Sequence, residues 1–201
     1  MADSTDSNRV LLTGENPFIR LNAEGPDGEA TTNASFWRIL FCPAGPGCVL
    51  FLKSELTGGD WCVYSDNIAM ARWLQRTVQG TLNAELGDTS IPVVESTFAA
   101  PINQLPHFWQ ETITTEGETI AMTWAEIGEP VLLHGQPGDS YAYGVASTLI
   151  PAGEARLTIN GVQAAGKTWA TDRNGRPFGT SCLAFSESWT EPFEGLPDSK
   201  L

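Results

Sequence analysis

Residues 107–127, HFWQETITTEGETIAMTWAEI, alternate in character with a period of two and pause only at Glu116-Gly117. That period belongs to a β-strand, whose side chains point to opposite faces in turn. The stretch therefore predicts two strands folded back on each other, with Thr115 facing Glu118 across a two-residue turn. The pairing then sets Ile113 opposite Ile120, Glu111 opposite Met122, Trp109 opposite Trp124 and His107 opposite Glu126. All eight side chains share one face, and that face is aromatic and aliphatic apart from His107, Glu111 and Glu126. Ionisable groups carried toward an apolar interior are costly unless paired or put to use, so this hairpin is also the first place to look for a site.

The same period recurs through most of the chain. FWRILFC (36–42) has apolar residues on both faces and is expected to be a central strand. Cys48–Glu55 and Asp60–Ser65 form a hairpin around Leu56–Gly59. Ile91–Phe98 is expected as a strand with Pro92 at a sheet edge or at the strand start, because proline cannot donate to a ladder. Val131–His134, Ser140–Ile150, Ala155–Ile159, Val162–Ala165, Lys167–Thr171 and Ser181–Trp189 are further strands and Asn16–Leu21 a short first one, with a turn expected at Pro151–Glu154 and a bulge at Gly166. Asn160-Gly161 is the strongest hairpin signal, since a type I′ turn favours Asn-Gly. Only residues 66–79 read as helical, capped by Ser65 or Asp66, with Ile68, Ala71, Leu74 and Val78 in one apolar stripe beside Met70 and Trp73.

About ten strands in short-loop succession plus one amphipathic helix predict a mainly β fold. The expected form is an antiparallel meander closing into a lipocalin-like barrel, or a strongly curved sheet. Small barrels of that kind enclose a ligand. The predicted organisation is a flexible N-terminal segment (1–16), one β domain (17–192) and a tail (193–201). Gly166–Arg173, GKTWATDR, resembles over eight residues the Gly–Trp–Asp–Arg stretch of lipocalin-like hydratase-type proteins, and that length assigns no family.

Charge narrows the partners. The 201 residues hold 24 Asp and Glu against 11 Lys and Arg, a formal net charge of −13. Such a chain repels nucleic acid and anionic membranes and accepts neutral or cationic small molecules. The start MADSTDSNR has no apolar core of a signal peptide, so the expected compartment is the cytoplasm, with Cys42, Cys48, Cys62 and Cys182 reduced. No redox cofactor or metal is implied. His107, His134 and a carboxylate are the residue types of a facial triad, but no HxH or HExxH spacing supports one. Self-association through an edge strand is left open.

Three strands place a Glu in phase with large apolar residues: Glu111 with Trp109, Glu126 with Met122 and Trp124, and Glu187 with Phe185 and Trp189. A carboxyl group in an apolar setting has its pKa raised and serves as an acid, or as a base near neutrality. The catalytic expectation is general acid–base chemistry of the lyase, isomerase or hydratase type on a largely apolar substrate. His107 and Glu126 would be the proton-transfer pair and Glu111 a second carboxylate. Trp109, Trp124, Met122, Tyr141, Tyr143 and Glu187 would line the substrate. The alternative is a non-catalytic barrel for a hydrophobic or cationic ligand, held by Trp and Glu side chains through cation–π and charge contacts. For Glu111 there is also a plainer expectation, an ion pair with Arg38.

Overall fold

The computed structural model describes residues 9–100, 103–139, 141–173 and 175–192, apart from the Pro192 side chain. In chain order the strands are β1 (Val10–Glu15), β2 (Phe18–Asn22), β3 (Ala30–Phe41), β4 (Gly47–Ser54), β5 (Trp61–Ser65), β6 (Val93–Glu95), β7 (Thr97–Ala99), β8 (Asn103–Gln104), β9 (Phe108–Thr114), β10 (Thr119–Ile127), β11 (Val131–Gly135), β12 (Tyr143–Ile159), β13 (Val162–Gln163), β14 (Ala170–Arg173), β15 (Arg176–Gly179) and β16 (Cys182–Pro192). Between β5 and β6 lie α1 (Ile68–Arg76), α2 (Val78–Leu82) and a 3-10 turn at Ala84–Gly87. The fold is mainly β, as the periodicity predicts. Because β1 begins at Val10, the N-terminal segment expected to be flexible as far as residue 16 contains a strand. Residues 1–8 and the tail 193–201 lie outside the described residues.

Fourteen strands form one sheet with the path β6-β5-β4-β3-β1-β16-β12-β10-β9-β7, and β2 continues the line of β1 beside β3 and β16. The two ends of that path, β6 and β7, are separated in the chain by Ser96 alone. One extended segment thus bonds β5 in parallel with its first half and β9 antiparallel with its second. A strongly curved sheet returns on itself in this way, and the ring is completed by chain continuity.

Two cores result, one on each face of the sheet. Inside the curve, Phe36, Leu50, Ile113, Ile120, Met122, Trp124 and Leu157 are fully buried against one another. The interior expected to hold a ligand is therefore occupied by these packed core side chains. On the outer face, Trp37, Ile39, Val49, Phe51 and Val63 of β3–β5 meet Met70, Ala71, Leu74 and Val78 of the helices. FWRILFC feeds both cores because alternate residues face opposite sides, as expected of a central strand. Leu40 and Phe41, the last two residues of β3, lie exposed, while Cys42 beyond them is buried.

Three local expectations need correction. The helix over 66–79 is two helices, broken at Thr77, whose φ of −118° and ψ of −112° leave the helical region. Its N-cap is Asn67, whose side chain accepts from the Met70 N–H, and Ile68 of the predicted stripe is exposed. Nor does the chain turn at Pro151–Glu154, because β12 runs through it without a break. A proline in a ladder gives up only its donor. Here the Pro151 carbonyl still accepts from the Gly128 N–H at 2.8 Å, and the Ala152 N–H bonds the Ser181 carbonyl.

Candidate functional site

The hairpin that opened the sequence reading has the expected register. The Thr115 N–H bonds the Glu118 carbonyl at 2.9 Å, and Ile113, Glu111 and Trp109 pair with Ile120, Met122 and Trp124. The ladder stops one pair later, at Phe108 and Ala125. His107 belongs to the turn before β9 and is exposed. Glu126 has φ of 52°, a left-handed conformation that breaks the alternation, and its side chain is exposed as well. Among the described residues no hydrogen bond or ion pair joins the two. The proton-transfer pair expected of His107 and Glu126 is not assembled, because both backbones leave the ladder before reaching each other.

Glu111 keeps the plainer role. It is buried, and its Oε2 takes a 2.7 Å ion pair from Arg38 while its Oε1 accepts from the Trp109 indole at 2.8 Å. Arg38 also reaches Glu15 at 2.6 Å. Burial raises the Glu111 carboxyl pKa, and Arg38 and Trp109 pull it back toward the charged form. Burial works against the Arg38 charge too, but the two glutamates together carry its pKa above the ordinary arginine value. Trp124 and Met122 are buried core residues, and the Trp124 indole donates to the Phe18 carbonyl at 3.0 Å. Trp109 is half-buried and meets Phe185 edge-on at 5.1 Å.

Glu187 is different. Phe185, Glu187 and Trp189 were expected on one face of the last strand, but Ser186 has φ of 53° and inserts an extra residue. The register against β12 shifts between Ala146 and Thr148 at the same place. Such a bulge turns the following side chains to the other face. Phe185 stays with the inner core, whereas Trp189 joins the outer one. Glu187 is 4 % exposed, with its Oε1 accepting from the Trp189 indole at 2.6 Å and its Oε2 from the Ser147 hydroxyl at 2.9 Å. Among the described residues it has no cationic partner. Burial pushes its carboxyl up to about 7, against the lowering effects of Trp189 and Ser147.

Glu187 lies at the margin of a groove of about 570 Å³ on the outer face. The floor is built from outward residues of β2, β3, β12 and β16, among them Phe18, Arg20, Asn33, Ser35 and Leu149. One wall is helical, with Gln79, Leu82 and Asn83, and the other combines Leu133, Tyr141 and the β14–β15 hairpin. Tyr141 stands edge-on to Trp189 at 5.7 Å. Tyr143 is half-buried beside the outer core, where burial raises its phenol pKa. The sheet thus divides the sequence-predicted residues. Trp109, Glu111, Met122 and Trp124 face inward, whereas Tyr141, Tyr143 and Glu187 belong to the outer side. Among the described residues no three His, Cys, Asp or Glu side chains are grouped as metal ligands.

Gln79 and Asn33 were missed by the sequence reading. Gln75 and Gln79 stand four apart on the helical stretch and are both buried, yet glutamine there reads as solvent-facing by type. The ring and groove define a curved-sheet β protein with a helical cover and an open cleft on its convex side. No family model, curated protein or solved structure matches the chain. No helix among the described residues is long and apolar enough to cross a membrane.

Proposed function

We propose that the protein binds a small organic ligand in the outer groove, anchoring a basic nitrogen of that ligand on Glu187. The observation that carries this reading is the contrast between two buried glutamates. Both accept an indole N–H from a tryptophan two residues away, but Glu111 also holds Arg38 and Glu187 holds no cation among the described residues. A buried carboxylate without a counter-charge is unfavourable, and a ligand ammonium supplies that charge at the groove. Trp189 and Tyr141 beside it offer aromatic surface to the same cation. A groove of about 570 Å³ falls within the range of small-molecule sites.

The test is equilibrium binding of phenethylamine and of its neutral isostere 2-phenylethanol, to the wild type and to Glu187→Gln. The reading expects the amine to bind at least tenfold more tightly than the alcohol and to lose that advantage in the variant. Equal binding of the two probes by the wild type would contradict it.

A second reading keeps the acid–base expectation but moves it to Glu187. A carboxyl with a pKa of about 7 populates both protonation states at neutral pH, as a proton-transfer group requires. Time-dependent conversion of a bound ligand by the wild type but not by Glu187→Gln would favour this reading.

A further inference from the structure

We infer that the ligand is an amine-bearing polyol, of which an amino sugar is a compact example, with its hydroxyl groups held by the amide side chains of Gln79 and Asn33. This rests on the amine-binding reading above and adds the chemistry of the middle of the groove.

Gln79 carries the inference. Its side chain is 3 % exposed, and its Oε1 accepts from Trp37 Nε1 at 2.7 Å and from Ser35 Oγ at 3.3 Å. An indole only donates, so the amide orientation is fixed with its oxygen toward Trp37. The Nε2 is left with no acceptor among the described residues, and Gln79 lines the groove. With its oxygen already engaged, the amide offers that N–H to a ligand oxygen in the groove.

Asn33 lines the same groove, and its side chain makes no hydrogen bond to a described residue. Asn16 and Asn83 are each half-used. Asn16 Nδ2 donates to Ser35 and Phe36, leaving Oδ1 open, while Asn83 Oδ1 accepts from the Glu85 N–H, leaving Nδ2 open. The groove therefore presents donors and acceptors together. A hydroxyl both donates and accepts, so a polyol engages such a set, whereas an alkylamine whose nitrogen sits at Glu187 has no other polar group to offer it. The half-buried rings of Phe18 and Trp61 line the groove as well and offer apolar faces to the C–H face of a sugar ring.

One aromatic pair links the two poles. Trp37 and Trp189 lie 6.3 Å apart, the first donating to Gln79 and the second to Glu187. Two hydrogen bonds and one ring–ring contact therefore connect Gln79 with Glu187.

The test is calorimetric titration of the full chain at neutral pH with three probes: the glucosamine trimer, cellotriose and phenethylamine. The inference expects the glucosamine trimer to bind at least tenfold more tightly than either other probe. It also expects Gln79→Met and Asn33→Ala each to weaken the trimer at least fivefold and leave phenethylamine unchanged within twofold. Gln79→Met takes the acceptor from the Trp37 N–H and risks misfolding, whereas Asn33→Ala breaks no hydrogen bond and gives the test its second arm. If phenethylamine binds through Glu187 but the trimer binds no better, or neither substitution weakens it, the inference is overturned and the amine site stands. If cellotriose binds as tightly as the glucosamine trimer, or no amine binds at all, the amine reading falls and the inference with it.

Discussion

Trp189 and Glu187, two residues apart on β16, are joined by a 2.6 Å indole-to-carboxylate hydrogen bond on the outer face of the sheet. The same motif occurs on the inner face between Trp109 and Glu111, at 2.8 Å, and there Arg38 completes it. The difference between the two sites sets the expected behaviour of the molecule.

The first consequence concerns pH. Burial raises the Glu187 carboxyl to about 7, well above its value in an unfolded chain. The folded state therefore holds this proton more tightly than the unfolded state. Its contribution is complete below the unfolded carboxyl pKa and is lost as pH rises through about 7. The accompanying loss of stability is on the order of 3 kcal/mol. Urea denaturation from pH 5 to pH 8 is expected to show wild-type stability falling across the range. Glu187→Gln is expected to remove most of that slope, because the amide oxygen still accepts from the Trp189 indole and the amide NH2 can donate to the Ser147 hydroxyl, without the charge.

Arg38 gives a prediction of opposite sense. Arg38→Met leaves the Glu111 carboxylate buried and unpaired, and breaking such a pair typically costs 3–5 kcal/mol. A loss of about 3 kcal/mol in urea denaturation is expected. Glu15→Gln removes only the partly exposed partner and is expected to cost under about 1 kcal/mol. Similar losses from the two substitutions would mean that the pair with Glu111 is not the buried anchor described here.

Ser186 is the residue that turns Glu187 outward. Its φ of 53° is unfavourable for a β-branched side chain. Ser186→Val is expected to lower stability by about 1–2 kcal/mol, and Ser186→Gly to leave it unchanged or raise it. Indole N–H exchange at Trp189, followed by NMR, reports whether the hydrogen bond to Glu187 is lost along with the bulge.

His107→Ala is expected to change stability by less than about 0.5 kcal/mol, because the side chain is exposed and makes no described contact. It is also expected to leave phenethylamine affinity unchanged. A large loss of affinity in this variant would return the site to the end of the hairpin.

These residues also show how far the sequence could be read. The hairpin register followed from the side-chain period and the two-residue turn alone, and it held over every pair from Thr115 and Glu118 back to Trp109 and Trp124. Phe108 and Ala125 still pair, but the register failed at His107 and Glu126 for a reason with no local signature, since Glu126 adopts a left-handed conformation with neither Gly nor Asn to announce it. Ser186 misled in the same way, and the face assigned to Glu187 went with it. Asn160-Gly161, where both residues have positive φ, is the contrasting case in which residue type declares the turn. The ring through Ser96 and the placement of Gln79 under Trp37 depend on contacts far apart in the chain, which periodicity does not carry. The pairing of Arg38 with Glu111 was legible because a lone cation on a central strand needs a carboxylate.

The central claim is that Glu187 is a buried carboxyl awaiting a cation. It is tested most directly by NMR titration of the Glu187 side-chain carboxyl carbon with and without phenethylamine. The account predicts a free-protein pKa of about 7 and a clearly lower one when the amine is bound. An ordinary glutamate pKa in the free protein, or a raised one that the amine leaves unmoved, would contradict it.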